Sequence, residues 1–353
     1  MKELTKLLER LSLAFGPSGC EREVADIIRD ELAGLPIDLT VDRVGNLTAH
    51  VQGATDAPRV MLSAHMDEVG VMITDIEENG FLRFGTVGGI DTRVMVGRAV
   101  KLLGRTGFVY GVISAKGIHF QSSEERERVP TLDEMYIDIG VDNADEAKKY
   151  VARGDYGTFD TAFLPLGRCG EYLSGKAIDD RVGCALLIAL LRSVAERAPL
   201  AVDLYCTFTV REEIGISGAT NAANRIAPHF AVVLEATAMA DLPDVPAARR
   251  VADTGKGGVL SLADRSTIYD RDLIKLALAT GEKQDIPVQV KRFVSGGNDA
   301  GNIQRTGVGV RCLALSAPTR YLHAPVSVVR ESDIEAMLAL LLALLPEFAK
   351  EGI

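Results

Sequence analysis

Cysteine is scarce in this chain and arranged for nothing covalent. Cys20, Cys169, Cys184, Cys206 and Cys312 are odd in number, widely scattered and free of any C-x-x-C pair. That pattern argues against a disulfide framework and a thiolate metal site, and it fits a reducing compartment. Cys184, Cys206 and Cys312 lie in apolar runs, where a free thiol behaves as a small hydrophobe. Basic residues are also in deficit: 39 Lys and Arg against 49 Asp and Glu leave a net charge of -10. Such a balance argues against nucleic acid or an anionic membrane as the main partner. The longest apolar run, Met337 to Pro346, is about half of a membrane span. Residues 1–10 are amphipathic and charged, unlike a secretory signal. No internal repeat or low-complexity linker is evident. The expectation is a cytoplasmic globular protein.

What is present is an ordinary globular composition, 47% hydrophobic and 25% charged over 353 residues, enough for about two domains. Leucines at 4, 7, 8, 11 and 13 predict a first helix. Ser18-Gly-Cys-Glu21 has capping-box spacing and predicts a second helix through Val24, Ile27, Ile28 and Leu32. Strand-like segments come next at 37–41, 46–51 and from Val60. From Val71 to Phe163 short strand-like pieces alternate with Gly-rich turns, which predicts a small β-barrel or sandwich. After Gly175 helices and strands alternate again, ending in a Leu-rich helix that Ser332-Asp-Ile-Glu335 would cap. The reading is an α/β catalytic domain of residues 1–70 plus 164–353, interrupted by an inserted β-rich domain of residues 71–163. Thr237–Arg265 reads as a long loop near the site.

Histidine and acidic residues gather where strands stop. The apolar run from Val60 halts at His65, with Asp67 two residues on. This offers a metal ligand and a group that orients it by accepting its second ring proton; a satisfied core histidine is the plainer alternative. In Gly175-Lys-Ala-Ile-Asp-Asp-Arg-Val-Gly183 one of two aspartates could bridge two cations about 3.5–4 Å apart, or serve as a helix N-cap. Glu212 and Glu213 come directly after the most strand-like run, where one could ligate a metal and its neighbour act as general base. Paired glutamates at a strand end are expected to point to opposite faces. Glu235 closes the strand 230–234, and His323 precedes a Pro-stiffened turn. Ligands of this kind without cysteine suit Zn, Co or Mn in an open site. His119 reads as a solvated loop histidine.

His65-x-Asp67, Asp179-Asp180-Arg-x-Gly183, Arg211-Glu212-Glu213-x-Gly215, Glu235 and Tyr321-x-His323-x-Pro325 occur in that order. Together they resemble the motifs of the tetrahedral aminopeptidases, the glutamyl-aminopeptidase and cellulase-M-like dinuclear metallopeptidases. The likeness runs from Gly16-Pro-Ser-Gly19 through Ser295–Gly301 to the final helix. It implies a three-layer α/β metallo-exopeptidase domain of the phosphorylase/hydrolase-like kind, with an inserted PDZ-like β-barrel for oligomerisation and substrate access. It also implies tetrahedral homododecamers and peptide substrates. Carried over by residue, two divalent ions, Zn or Co with Mn as a further option, would be bridged by Asp179. His65 and Glu235 would complete one shell, Glu213 and His323 the other. Glu212 would be the general base for attack by a metal-bridging hydroxide, and Asp67 would hold His65. Many relatives carry aspartate where this chain has Glu235, and the loop 118–123 lacks an expected proline. Arg249, Arg250, Lys256 and Arg292 are candidates for meeting an acidic substrate side chain. The competing readings are a carboxypeptidase or deacylase, an endoglucanase, and a non-catalytic peptide-binding shell. An endoglucanase would survive metal chelation, and a shell would lack the base or a ligand.

Overall fold

A computed structural model describes residues 2–351. Eleven strands form one large mixed sheet. They are β1 (Asp38–Val41), β2 (Leu47–Val51), β3 (Arg59–His65), β10 (Leu164–Leu166), β11 (Tyr172–Gly175), β12 (Asp203–Thr209), β13 (Phe230–Ala238), β14 (Gly258–Leu260), β15 (Val288–Val290), β16 (Arg311–Arg320) and β17 (Ser327–Arg330). Strands β12, β3, β13 and β16 lie side by side and parallel. Buried on both faces, they read as continuous apolar runs rather than alternating ones, as central parallel strands must. The pairs toward both edges of the sheet are antiparallel.

The register of these central strands positions the site. Thr209 pairs with His65, and Val233 pairs with Ser63, two residues before His65. Glu235 therefore stands level with His65, and Thr209 completes the row. The chain emerges from all three strands at one end of the sheet, where ligand sites of open α/β sheets gather.

Helix α5 (Ile178–Val194) crosses this sheet and is apolar nearly all round. Its second face is covered by α1 (Glu3–Leu13) and α9 (Glu331–Phe348), so a one-sided amphipathic stripe would not suffice. Helix α2 (Arg22–Leu32) also packs on α5, α7 (Arg271–Lys283) packs on α9, and α6 (Ser217–Ile226) with the short α8 (Ala300–Ile303) packs against the central strands. Among the described residues, no helix is long and apolar enough to cross a membrane.

Between β3 and β10 the chain forms a closed six-stranded barrel with its own core. Its strands are β4 (Gly70–Ile76), β5 (Leu82–Val87), β6 (Ala99–Gly104), β7 (Gly107–Ser114), β8 (Tyr136–Asp138) and β9 (Tyr156–Phe159). Val71, Ile73, Val100, Leu102, Ile113 and Ile137 fill the interior. Two further helices, α3 (Ser123–Arg126) and α4 (Ala144–Tyr150), decorate it. The chain enters at Gly70, where a Cβ would lie 2.5 Å from the Gly157 carbonyl oxygen, so only glycine fits. Glu68 clamps the crossing. One carboxylate oxygen accepts from buried Lys176 (2.6 Å), Arg181 (3.2 Å) and the Gly16 amide (3.2 Å), and the other accepts from Thr158 of the returning strand (2.7 Å). Burial pushes Lys176 down to about 8, against the attraction of Glu68.

Both expected capping boxes are absent. Ser18 donates to Asp67 instead, and α2 begins after Glu21 without a side-chain cap. Before α9 the N-cap is Arg330, while Asp333 accepts from the Gly255 and Gly257 amides (both 2.8 Å). At α2 a tertiary partner, Asp67, takes the hydroxyl that would have capped the helix. Capping boxes do form at Ser122 with Glu125 before α3 and at Thr131 with Glu134 before the short turn Leu132–Glu134.

Helix α7 shows a cap with a measurable consequence. Asp270 accepts from the Asp272 and Leu273 amides (2.9 and 3.0 Å) and pairs with Arg311 (2.8 Å). Asp270→Ala is expected to cost about 1–2 kcal/mol, the worth of such a cap. Arg311 holds the Asp270 carboxyl below its usual range. A lowered folded pKa means the contribution is full above the unfolded value of ~3.9 and is lost as pH falls through the folded one. Denaturant melts of wild type and variant should therefore differ at pH 7 and converge as pH falls through the lowered folded-state value.

Candidate active site

Asp179 occupies the middle of the site. Its Oδ1 lies 3.4 Å from His65 Nε2 and its Oδ2 lies 3.5 Å from His323 Nε2. His65 Nε2 is also 3.8 Å from Glu235 Oε2, and His323 Nε2 is 3.3 Å from Glu213 Oε1. These spacings exceed a good hydrogen bond, ~2.7–3.2 Å. Three of them, at 3.3–3.5 Å, lie close to the edge of a tetrahedron about an ion with bonds of ~2.0–2.1 Å, about 3.3–3.4 Å, and the His65–Glu235 separation of 3.8 Å is longer. Asp179 Oδ1 and Glu235 Oε1 are buried without a hydrogen-bond partner. Three overlapping groups, His65–Asp179–Glu235, His65–Glu212–Glu213 and Asp179–Glu213–His323, each bring ligand atoms within 4.8 Å of one another. The residues' own geometry therefore gathers carboxylates and histidines that could hold divalent cations.

Local backbone explains how these side chains converge. Asp179 (φ -81°, ψ 110°) and Asp180 (φ -119°, ψ 43°) stand outside helical geometry at the start of α5, preceded by Ala177 in the left-handed region. That break separates the two aspartates. Asp179 faces the histidines, while Asp180 turns back to accept from the Gly183 amide (3.0 Å). Glu212 and Glu213 do not point to opposite faces, because β12 has already ended at Thr209. Arg211 adopts φ 59°, and the turn delivers both carboxylates to the cluster. His323 (φ 54°) and Tyr321 (φ 61°) are likewise left-handed. Non-glycine residues in that region cost ~1–3 kcal/mol each and persist only where the surroundings hold them. Glu235 lies within β13, three residues before its end, and not at the strand terminus.

Asp67 does more than orient a histidine. His65 Nδ1 meets the Asp67 main-chain oxygen at 3.0 Å, with the carboxylate farther away at 3.5 Å. The carboxylate instead accepts from the Glu212 and Glu213 amides (3.0 and 3.1 Å) and from the Ser18 hydroxyl. One residue thus fixes both a prospective ligand and the turn of the paired glutamates. The barrel side contributes a wall: Gly89 lies against His323, and Gly88 against Glu213.

The electrostatics describe a site short of positive charge. Burial raises Glu235 and Glu212 well above the usual carboxyl range, and burial with the Asp179 charge takes Glu213 up to about 7. Burial works against charge on His65, yet Asp179, Asp67 and Glu235 together hold its pKa high. His323, facing the Asp179 carboxylate, rises to about 9. Bound cations would supply the missing charge.

Beside the cluster lies a cavity of about 380 Å³, walled by Ser261, Asp264, Lys291, Ser295–Asn298 and Ser316. Lys291 is half-buried and gives one hydrogen bond to the Ser295 carbonyl (2.8 Å), which leaves two donors. Asp264 is fully engaged, accepting from the Ser266 and Thr267 amides, the Ser266 hydroxyl and Tyr269. The four basic residues singled out from the sequence do not line this cavity; Arg292 pairs with Asp253 outside it. Lys291, the immediate neighbour of Arg292, does. No local pattern distinguishes the two, since only the end of β15 aims one inward. His119 is exposed, away from the cluster.

Comparison with known proteins covers nearly the whole chain. A sequence model of the family described as M42 glutamyl aminopeptidase matches residues 45–340. A relative from Acetivibrio thermocellus, named as an aminopeptidase, is 34% identical over 341 residues, covering 96% of this chain and 98% of the relative. The crystal structure of a TET aminopeptidase from a marine sediment thaumarchaeon superposes with a TM-score of 0.94 at 31% identity, covering 99% of this chain and 98% of that one. The TET1 peptidase of Pyrococcus horikoshii, described as assembling into a tetrahedron or a large octahedral shell, gives a TM-score of 0.87 at 34% identity, covering 97% and 99%.

Proposed function

The chain belongs to the M42 glutamyl aminopeptidase family and is a hydrolase of the exopeptidase class; from that premise we propose a two-cation aminopeptidase that favours an acidic first residue. The observation supporting metal use is the 3.3–3.8 Å spacing of ligand atoms around Asp179. His65, Asp179 and Glu235 would hold one ion, and Asp179, Glu213 and His323 the other. When bound, Zn or Co, with Mn as a further fit, supplies Lewis acidity for the scissile carbonyl and lowers the pKa of a water.

The chain's own residues do the rest. Glu212 takes the proton of the attacking water and returns it to the leaving amine. Asp67 holds His65 and the Glu212 and Glu213 amides, so base and ligands keep one geometry. The free amino group of the peptide rests among the acids of the cluster. The first side chain enters the cavity, where Lys291 offers two charge-assisted hydrogen bonds to a carboxylate. A shell-like homo-oligomer, tetrahedral and dodecameric, in the cytoplasm completes the reading.

A panel of aminoacyl-p-nitroanilides tests the specificity. Glutamyl and aspartyl substrates should lead, with lysyl last. Lys291→Ala should lower kcat/KM for the acidic substrates about 10–100-fold, the worth of a hydrogen bond to a charged group at about 1.5–3 kcal/mol. Fast lysyl release, or indifference to the substitution, would overturn the assignment.

A further inference from the structure

Asp299 is a buried carboxylate that none of the chemistry above uses. It is 1% exposed and lies between the cavity wall and the ends of β3 and β12. Its Oδ2 accepts from Thr209 Oγ1 at 2.8 Å and more weakly from Ser63 Oγ at 3.4 Å. Its Oδ1 is buried with no partner. An ionised group so poorly satisfied is costly, and an apolar residue would serve packing better. Nor is it a helix cap: its side chain makes no cap hydrogen bond at α8, where Asn298 takes the Ala300 amide.

The contacts of Asp299 define its use. Thr209 is the last residue of β12, paired in register with His65 and three residues before Glu212. Ser63 lies two residues before His65 on β3. Between Thr209 and Glu212 the chain passes through Arg211 in its left-handed conformation. Downstream, that turn is held by Asp67 through the Glu212 and Glu213 amides. Upstream, the Val210 amide donates to Asn46 Oδ1 (3.0 Å) and the Arg211 amide to Glu21 Oε1 (3.2 Å), while the Thr209–Asp299 bond is the contact that joins this end of the turn to the cavity wall. Asp299 also comes directly after Ser295–Asn298, the wall of the substrate cavity.

We propose that Asp299 is a positioning residue, which anchors the upstream end of the Glu212 turn through Thr209 and ties it to the cavity wall. The proposal rests on the reading of Glu212 as general base.

The test uses full-length, zinc-loaded protein. Asp299→Ala and the isosteric Thr209→Val, which removes only the hydroxyl donor, should each lower kcat about 10–100-fold with KM and bound zinc unchanged. Asp299→Asn and Thr209→Ser keep an acceptor and a hydroxyl and should retain most of the turnover. The double variant Asp299→Ala/Thr209→Val should be little worse than the poorer single, because both remove the shared Thr209–Asp299 bond, the shorter of the contacts each side chain makes. Wild-type kcat in Thr209→Val, additive losses in the double variant, or losses that track zinc release would overturn the proposal. Full activity in Glu212→Gln would instead sink the reading of the base, so the two failures are distinguishable.

Discussion

Glu212→Gln is expected to leave the fold and the cation content intact and to lower turnover about 10²–10⁴-fold, the range of a positioned general base. The substitution removes a proton acceptor while keeping the side chain's shape. The Glu212 amide still donates to Asp67 at 3.0 Å, so the turn stays in place. The groups proposed to hold the cations, His65, Asp179, Glu235, Glu213 and His323, are untouched. Loss should therefore fall on kcat, with little change in KM for a glutamyl substrate. A Glu213→Gln variant should behave differently, losing metal as well as rate, because that carboxylate faces His323. Steady-state kinetics beside metal analysis separates the two glutamates.

Removing metal should have the second large effect. The site gathers Asp179, Glu212, Glu213 and Glu235 around two histidines, while Asp180 accepts from the Gly183 amide and Asp264 from Tyr269. Dialysis against a chelator is expected to abolish hydrolysis, and added Zn or Co should restore it. Stability should change in step: an ion bound at about a thousandfold excess over Kd adds about 4 kcal/mol to the folded state. The stripped protein should melt several degrees lower and recover on reloading. Rate and melting temperature that both ignore chelation would return the endoglucanase reading to the field, since that chemistry needs only two carboxylates.

Much of this site is visible in the chain before it folds, for a physical reason. His65 and Glu212–Glu213 stand at or just beyond the ends of strands whose apolar runs mark them as central and parallel, and parallel strands deliver their carboxyl-end residues to one edge of the sheet. The barrel is equally visible, because turn glycines punctuate short strands. Where expectation failed at α2, a tertiary contact displaced a local one. Ser18 has the spacing of a cap, yet its hydroxyl belongs to Asp67. Glu235 looks like a strand terminus because the apolar run stops there, while β13 continues to Ala238. Lys291 and Asp299 could not be chosen in advance. Each gains its role from loops that meet only in the folded chain.

Peptide hydrolysis from one end is the claim on which the rest stands. The most direct measurement is the time course of products from one acidic-ended peptide with a free amino terminus, beside its N-acetylated twin, using zinc-loaded protein. Residues released one at a time from the free amino end, with the acetylated peptide left whole, is the expected result. Release from the carboxyl end, or deacetylation of the blocked peptide, would contradict it and assign the site to a carboxypeptidase or deacylase.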